Sequence, residues 1–194
     1  LTQKIGPCHE IPKETDYVFH CAAHTSGAYE MVHDPAAQVN ENAFMNSLLL
    51  DAAVKARVKK LVFISSSAIY PACNWPMPEE DGFRSDPPPS YFGPAWMKRY
   101  SEKLCEFYAS ISDMEVLVIR PSNVYGPYSG FDPTHSHVLP ALIRKFVDGQ
   151  SPLEVWGSGD VRRDFIYADD FVHGVFKAFD WFSKFDVFNI AVGD

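Results

Sequence analysis

Lys60-Leu61-Val62-Phe63-Ile64-Ser65 decides the fold. It is a short, unbroken apolar run that stops at serines, and an unbroken run suits a strand covered on both faces, where a half-exposed strand would alternate. Three further runs have the same character: Tyr17-Val18-Phe19-His20-Cys21, Val116-Leu117-Val118-Ile119-Arg120 and Val187-Phe188-Asn189-Ile190. Between the strands at 17 and 60, Asn42 to Arg57 carries Phe44, Leu48, Leu49, Ala52 and Ala53 on one helical face, and Trp96 to Ile111 offers a second helix. Buried strands alternating with helices imply β-α-β crossovers and a parallel, doubly wound α/β sheet.

In such sheets ligands gather at the carboxyl ends of the strands. Here those ends read Ala22-Ala23-His24, Ser65-Ser66-Ser67 and Pro121-Ser122-Asn123, small and polar where a ligand needs close approach. Pro71 to Pro94 is rich in proline and carries Trp75 and the acidic Glu79-Glu80-Asp81. Because it joins a strand to a helix of the same sheet, it reads as a long irregular loop over the site and not as a linker. Asp169-Asp170, opening an apolar run, reads as a helix N-cap.

The chain has 194 residues, 46% of them hydrophobic, and a net charge of −8. The acidic balance offers no basic patch for a nucleic acid, and no run approaches the ~18 apolar residues of a membrane helix. A soluble, cytoplasmic protein is expected. Cys8, Cys21, Cys73 and Cys105 lack metal-ligand spacing and read as reduced thiols. No metal site is expected, since His135 and His137 have no evident third ligand.

Ser65-Ser66-Ser67-Ala68-Ile69-Tyr70-Pro71 resembles the serine strand of the extended short-chain dehydrogenase/reductase family. Asn123-Val124-Tyr125-Gly126-Pro127, Ser136-His137-Val138-Leu139-Pro140-Ala141-Leu142 and Trp156-Gly157-Ser158-Gly159 are similar to its GDP-L-fucose synthase-like branch, in the family's order. The resemblance runs from about Asp16 onward and implies a Rossmann-type fold binding NAD or NADP. The glycine-rich opening and acidic ribose contact of that family are not in this sequence, so its N-terminal strands are expected to be missing from this chain. Residues 1–125 would be a partial dinucleotide-binding domain carrying the catalytic residues, and 126–194 a substrate-binding part with returning sheet segments.

The resemblance also assigns roles. Ser66 would hydrogen-bond the reacting oxygen, with Ser67 as fallback and substrate contact. Lys98 would serve catalysis and the cofactor ribose. Ala22, Ala23, Asn42, Ser65, Pro121 and Asn123 would line the cofactor. His137 matches an acid/base histidine of the branch, while Asn123, His137, Arg144, Lys145, Trp156 and Arg163 would meet a nucleotide-sugar substrate, the basic groups suiting its diphosphate; for these, surface salt bridges are the alternative.

Two departures from the family pattern stand out. Four residues before Lys98, where the family keeps its proton-transferring tyrosine, stands Pro94. Tyr91, in a loop before the helix, is expected to replace it, the alternative being a packing aromatic in an altered site. The branch's epimerising cysteine is Ala68 here, which puts double epimerisation in question and leaves ketone reduction possible. The implied activity is that of a GDP-4-keto-6-deoxymannose epimerase-reductase or plain 4-keto reductase. An NAD-retaining UDP-sugar 4-epimerase and a non-catalytic NAD(P)-binding relative are the alternatives. Many relatives pair through a two-helix face, which implies a homodimer built on Asn42 to Arg57 and Trp96 to Ile111.

Overall fold

The computed structural model describes residues 11–25, 36–132, 136–155, 158–160 and 162–193. Four strands, β1 (Tyr17–His20), β2 (Lys60–Ile64), β3 (Glu115–Pro121) and β6 (Phe185–Ile190), form one parallel sheet in the order β1-β2-β3-β6. Helix α1 (Ala37–Lys55) crosses from β1 to β2, and α2 (Phe92–Ile111) from β2 to β3. From β3 the chain runs through β4 (Asn123–Tyr125), α3 (Val138–Val147), β5 (Phe165–Tyr167) and α4 (Ala168–Trp181) before it returns as β6. β4 and β5 pair in parallel as a separate two-stranded sheet.

The unbroken apolar runs are explained by two cores, one on each face of the sheet. Leu61, Phe63, Val116 and Val118 face Leu50 and Ala53 of α1 and Cys105 and Ala109 of α2. Their neighbours Val62, Leu117 and Ile119 turn the other way, onto Val175 of α4 and Phe182. Each fully buried side chain of this size contributes roughly 1.5–3 kcal/mol, so β2 and β3 anchor the fold from both sides. The expected doubly wound α/β sheet is what the chain forms.

Three element starts differ from expectation. α1 begins at Ala37 and not Asn42, its first turn, Gln38-Val39-Asn40-Glu41, carrying no apolar periodicity. α2 begins at Phe92 and not Trp96, because Pro94 falls in the first turn, where a helix has no use for the missing N–H. Asp169 and Asp170 do not cap α4; Tyr167 is the cap residue, and the two carboxylates lie in the first turn, where they complement the helix dipole. Cys21, Cys73 and Cys105 are free thiols, while Cys8 lies outside the described residues. Among the described residues no helix is long and apolar enough to cross a membrane.

Candidate active site

The carboxyl ends of β1, β2 and β3 open side by side. Ala22 and Ala23, both exposed, follow β1. Asn42 does not face outward beside them. It is 3% exposed, and its amide brackets the His24 peptide, accepting from the N–H at 2.8 Å and donating to the carbonyl at 2.9 Å. The residue placed with the cofactor lining thus holds the segment that carries the alanines. Asn42→Ala is expected to cost about 2 kcal/mol in a denaturant melt; no change would mean that other contacts hold this segment.

At the end of β2 the three serines divide. Ser65 is 4% exposed, and its hydroxyl donates to Glu102 of α2, so it is turned into the interior and not toward the open strand end. Ser66, half-buried, accepts from the Ala68 N–H at 3.1 Å as cap of a short 3₁₀ turn, which leaves its own O–H to donate. Ser67 is exposed.

Lys98 reaches the same strand end from α2. Its Nζ donates to the Ile64 carbonyl at 2.8 Å and lies 5.0 Å from the Phe63 ring centroid. Burial brings its pKa down to about 8, against the pull of Glu102 in the opposite sense. Because α2 starts at Phe92, Tyr91 is the N-cap residue and not part of a loop free to fold back. Seven residues are close to two turns, so Tyr91 lies above the helix face of Lys98, about 10 Å of rise away.

The segment 71–91 is an irregular stretch pinned down at several points. Arg99, 1% exposed, donates to the Ile69 and Ser85 carbonyls at 2.9 and 2.6 Å. Arg120 donates to the Glu79 carbonyl at 2.7 Å, and Asn189 of β6 to that of Met77 at 3.0 Å. It is therefore a fixed wall beside the strand ends.

On the far side Pro121 ends β3, and the Asn123 amide donates to the Asp164 carbonyl at 2.8 Å, fastening β4 to the start of β5. Burial alone would raise the Asp164 carboxyl, yet the backbone N–H groups of Gly193 and Val192, at 2.7 and 3.2 Å, hold it below the usual carboxylate range. His137 is exposed at the N-cap of α3 and makes no capping bond. The basic residues are surface groups. Arg144 pairs with Asp148 at 2.7 Å, the salt-bridge alternative to a phosphate contact, Lys145 donates to the Glu154 carbonyl at 2.9 Å, and Arg163 is exposed beside the Arg162 carbonyl. Trp156 and His135 lie outside the described residues.

This is a mouth of small residues, one buried amine and one serine hydroxyl at the carboxyl ends of a parallel sheet. Residues 3–191 match the family described as NAD dependent epimerase/dehydratase. The chain belongs to this family. Among its relatives the GDP-L-colitose synthase of Yersinia pseudotuberculosis is 33% identical over 184 residues, 92% of this chain and 59% of that protein. A GDP-L-fucose synthetase from Naegleria fowleri bound to NADP has a similar structure, with a TM-score of 0.81 and 25% identity over 92% of this chain and 60% of that one. The UDP-glucose 4-epimerase of Thermotoga maritima, with UDP-glucose, gives 0.79 and 29% over 92% and 56%. The chain thus spans little more than half the length of these epimerase/dehydratase relatives.

Sequence reading missed the buried polar residues around this mouth. Glu102 is 2% exposed and Arg120 3%; they pair at 2.7 Å, with a second bond of 3.1 Å from Arg120 Nε. His20, 4% exposed, meets Asn46 at 2.7 Å, and Asn46 donates to Ser101 at 3.0 Å. A signal was present: Arg120 closes a run buried on both faces, and a charge there requires a partner.

Proposed function

We propose that the protein to which this chain belongs is a cytoplasmic NAD(P)-dependent enzyme that reduces, and in the fuller reading also epimerises, a nucleotide-linked 4-keto sugar such as GDP-4-keto-6-deoxymannose. The observation that carries this reading is the seat of Lys98, whose amine is held at the Ile64 carbonyl two residues before the Ser66 hydroxyl. The small, exposed Ala22 and Ala23 leave the end of β1 open to close approach, and Lys98 offers an ammonium to the hydroxyls of a ribose, so the residues present fit a nicotinamide dinucleotide. Such a cofactor supplies hydride to the carbonyl carbon. Residues 1–125 form the part holding it, and 126–194 the substrate-binding part.

In this reading Ser66 donates a hydrogen bond to the substrate carbonyl, where negative charge grows as the carbon is reduced. Tyr91 supplies the proton to that oxygen, and Lys98 holds its ammonium beside Ser66 at the strand end. His137 moves a proton beside the ketone, with Asn123 and Ser67 holding the sugar and Lys145, Arg163 and Trp156 meeting the nucleotide end. Tyr91→Phe should lower kcat for ketone reduction at least ~100-fold without changing NADPH affinity. Unchanged turnover would remove Tyr91 from the mechanism.

The decisive test mixes the full-length protein with NADPH and GDP-4-keto-6-deoxymannose in deuterated water. Cofactor oxidation with deuterium at carbons 3 and 5 establishes epimerisation and reduction despite Ala68; oxidation without deuterium establishes a plain reductase. No oxidation overturns the reading in favour of a UDP-sugar 4-epimerase, which Ala68 and the likeness to the Thermotoga enzyme favour, or of a non-catalytic NAD(P)-binding protein.

A homodimer belongs to the same proposal. α1 and α2 pack together and leave Phe44, Tyr100, Phe107 and Ile111 each more than half exposed, an apolar face that a second copy would cover. Phe44→Glu with Phe107→Glu is expected to turn a dimer into a monomer in sedimentation; a wild-type monomer would refute the pairing.

A further inference from the structure

Glu102 stands one helical turn after Lys98 on α2, and its carboxylate makes three bonds to two other elements. It accepts from the Ser65 hydroxyl at the end of β2 and from Nε and Nη2 of Arg120 on β3, the latter two at 3.1 and 2.7 Å. Arg120 extends the chain of contacts through Nη1 to the Tyr70 hydroxyl at 2.9 Å, and Tyr70 donates to Asn189 on β6 at 2.6 Å. One buried carboxylate thereby ties the ends of β2, β3 and β6 to the helix that carries Lys98.

A buried ion pair is a poor source of stability, because removing two charges from water offsets most of their attraction. What it fixes well is geometry and local field. Ser65 immediately precedes Ser66, and the carbonyl of Ile64, the residue before Ser65, is what Lys98 bonds. Fastening Ser65 to α2 therefore sets the separation between the Ser66 hydroxyl and the Lys98 amine.

We propose that Glu102 is a positioning residue: it locks the end of β2 against α2 and provides the opposing charge that keeps the Lys98 ammonium available to a ribose. The inference rests on Lys98 being a cofactor contact, as proposed above. The charged and titratable groups acting on Lys98 are few. From its own helix come Glu102, which favours the ammonium, and the Cys105 thiol, pushed up by burial; from β1 comes His20, whose pKa is lowered chiefly by burial; from β3, Arg120 is already engaged by Glu102.

The test is the pH dependence of NADPH affinity in the full-length protein, followed by nicotinamide fluorescence. In the wild type, affinity falls as pH rises through the Lys98 midpoint. In Glu102→Gln that midpoint moves down by about one pH unit or more, and in Lys98→Met the dependence disappears. A Glu102→Gln protein that binds more weakly by the same factor at every pH, or unchanged, overturns the proposal. Should Glu102→Gln not fold, Glu102→Leu with Arg120→Met leaves no unpaired charge and is read in the same way, a smaller downward shift supporting the proposal and an unmoved midpoint overturning it. If Lys98→Met binds NADPH like the wild type, the reading of Lys98 itself falls and this inference with it. If only the Glu102 variants leave the midpoint in place, the cofactor reading stands without it.

Discussion

Lys98→Met is expected to reduce kcat/KM by roughly a thousandfold, within the range supplied by a single positioned, charged donor. Methionine keeps the length and apolar character of the stem, while the ammonium is lost together with its bond to the Ile64 carbonyl and its contact with the Phe63 ring. Its pH signature separates this effect from general damage. The amine titrates at about 8 in the folded protein against an ordinary 10.5, so between these values the native state holds fewer protons than the unfolded chain. The contribution of Lys98 to stability therefore rises with pH across that window. Cofactor affinity, which in the proposed reading uses the ammonium, should run the other way and fall above about 8. Denaturant melts and NADPH titrations from pH 7 to 10.5 should show opposed trends in the wild type, and Lys98→Met should flatten both. A variant with full activity and an unchanged pH profile would remove Lys98 from the site.

The parts of the molecule that were legible in sequence share a physical cause. β2 and β3 announce themselves because both faces are covered, so every residue from Leu61 to Phe63 and from Val116 to Ile119 is apolar and buried. The open strand ends are legible as the small residues that follow the buried runs, Ala22, Ala23, Ser66 and Ser67. Helix starts were hidden because α1 opens on a turn without apolar periodicity, and because the proline-rich stretch 71–94 runs directly into α2, whose first turn holds Pro94. The buried polar network was hidden for a different reason. Glu102 and Arg120 are eighteen residues apart, and a charged residue in a helix looks solvated until tertiary contact reveals its partner. Asn42 illustrates the same limit, since its spacing matched a cofactor contact and its amide turned out to hold the His24 peptide.

That network yields the largest stability effect. Arg120→Met on its own strips Glu102 of its two guanidinium bonds and leaves the Tyr70 hydroxyl and the Glu79 carbonyl without a donor, in a region where Glu102 is 2% exposed. Leaving one partner of a buried pair alone costs about 3–5 kcal/mol, a large part of the ~5–15 kcal/mol that holds a domain together. Adding Glu102→Leu removes the stranded carboxylate, and the double variant is expected to regain at least ~2 kcal/mol of the loss, although Ser65, Tyr70 and Glu79 stay short of partners. Urea melts of the full-length single and double variants measure the difference. If the double variant is no more stable than Arg120→Met, the weight of the site rests on the bonds from Arg120 to Tyr70 and Glu79, and Glu102 contributes field and position with no net stability of its own.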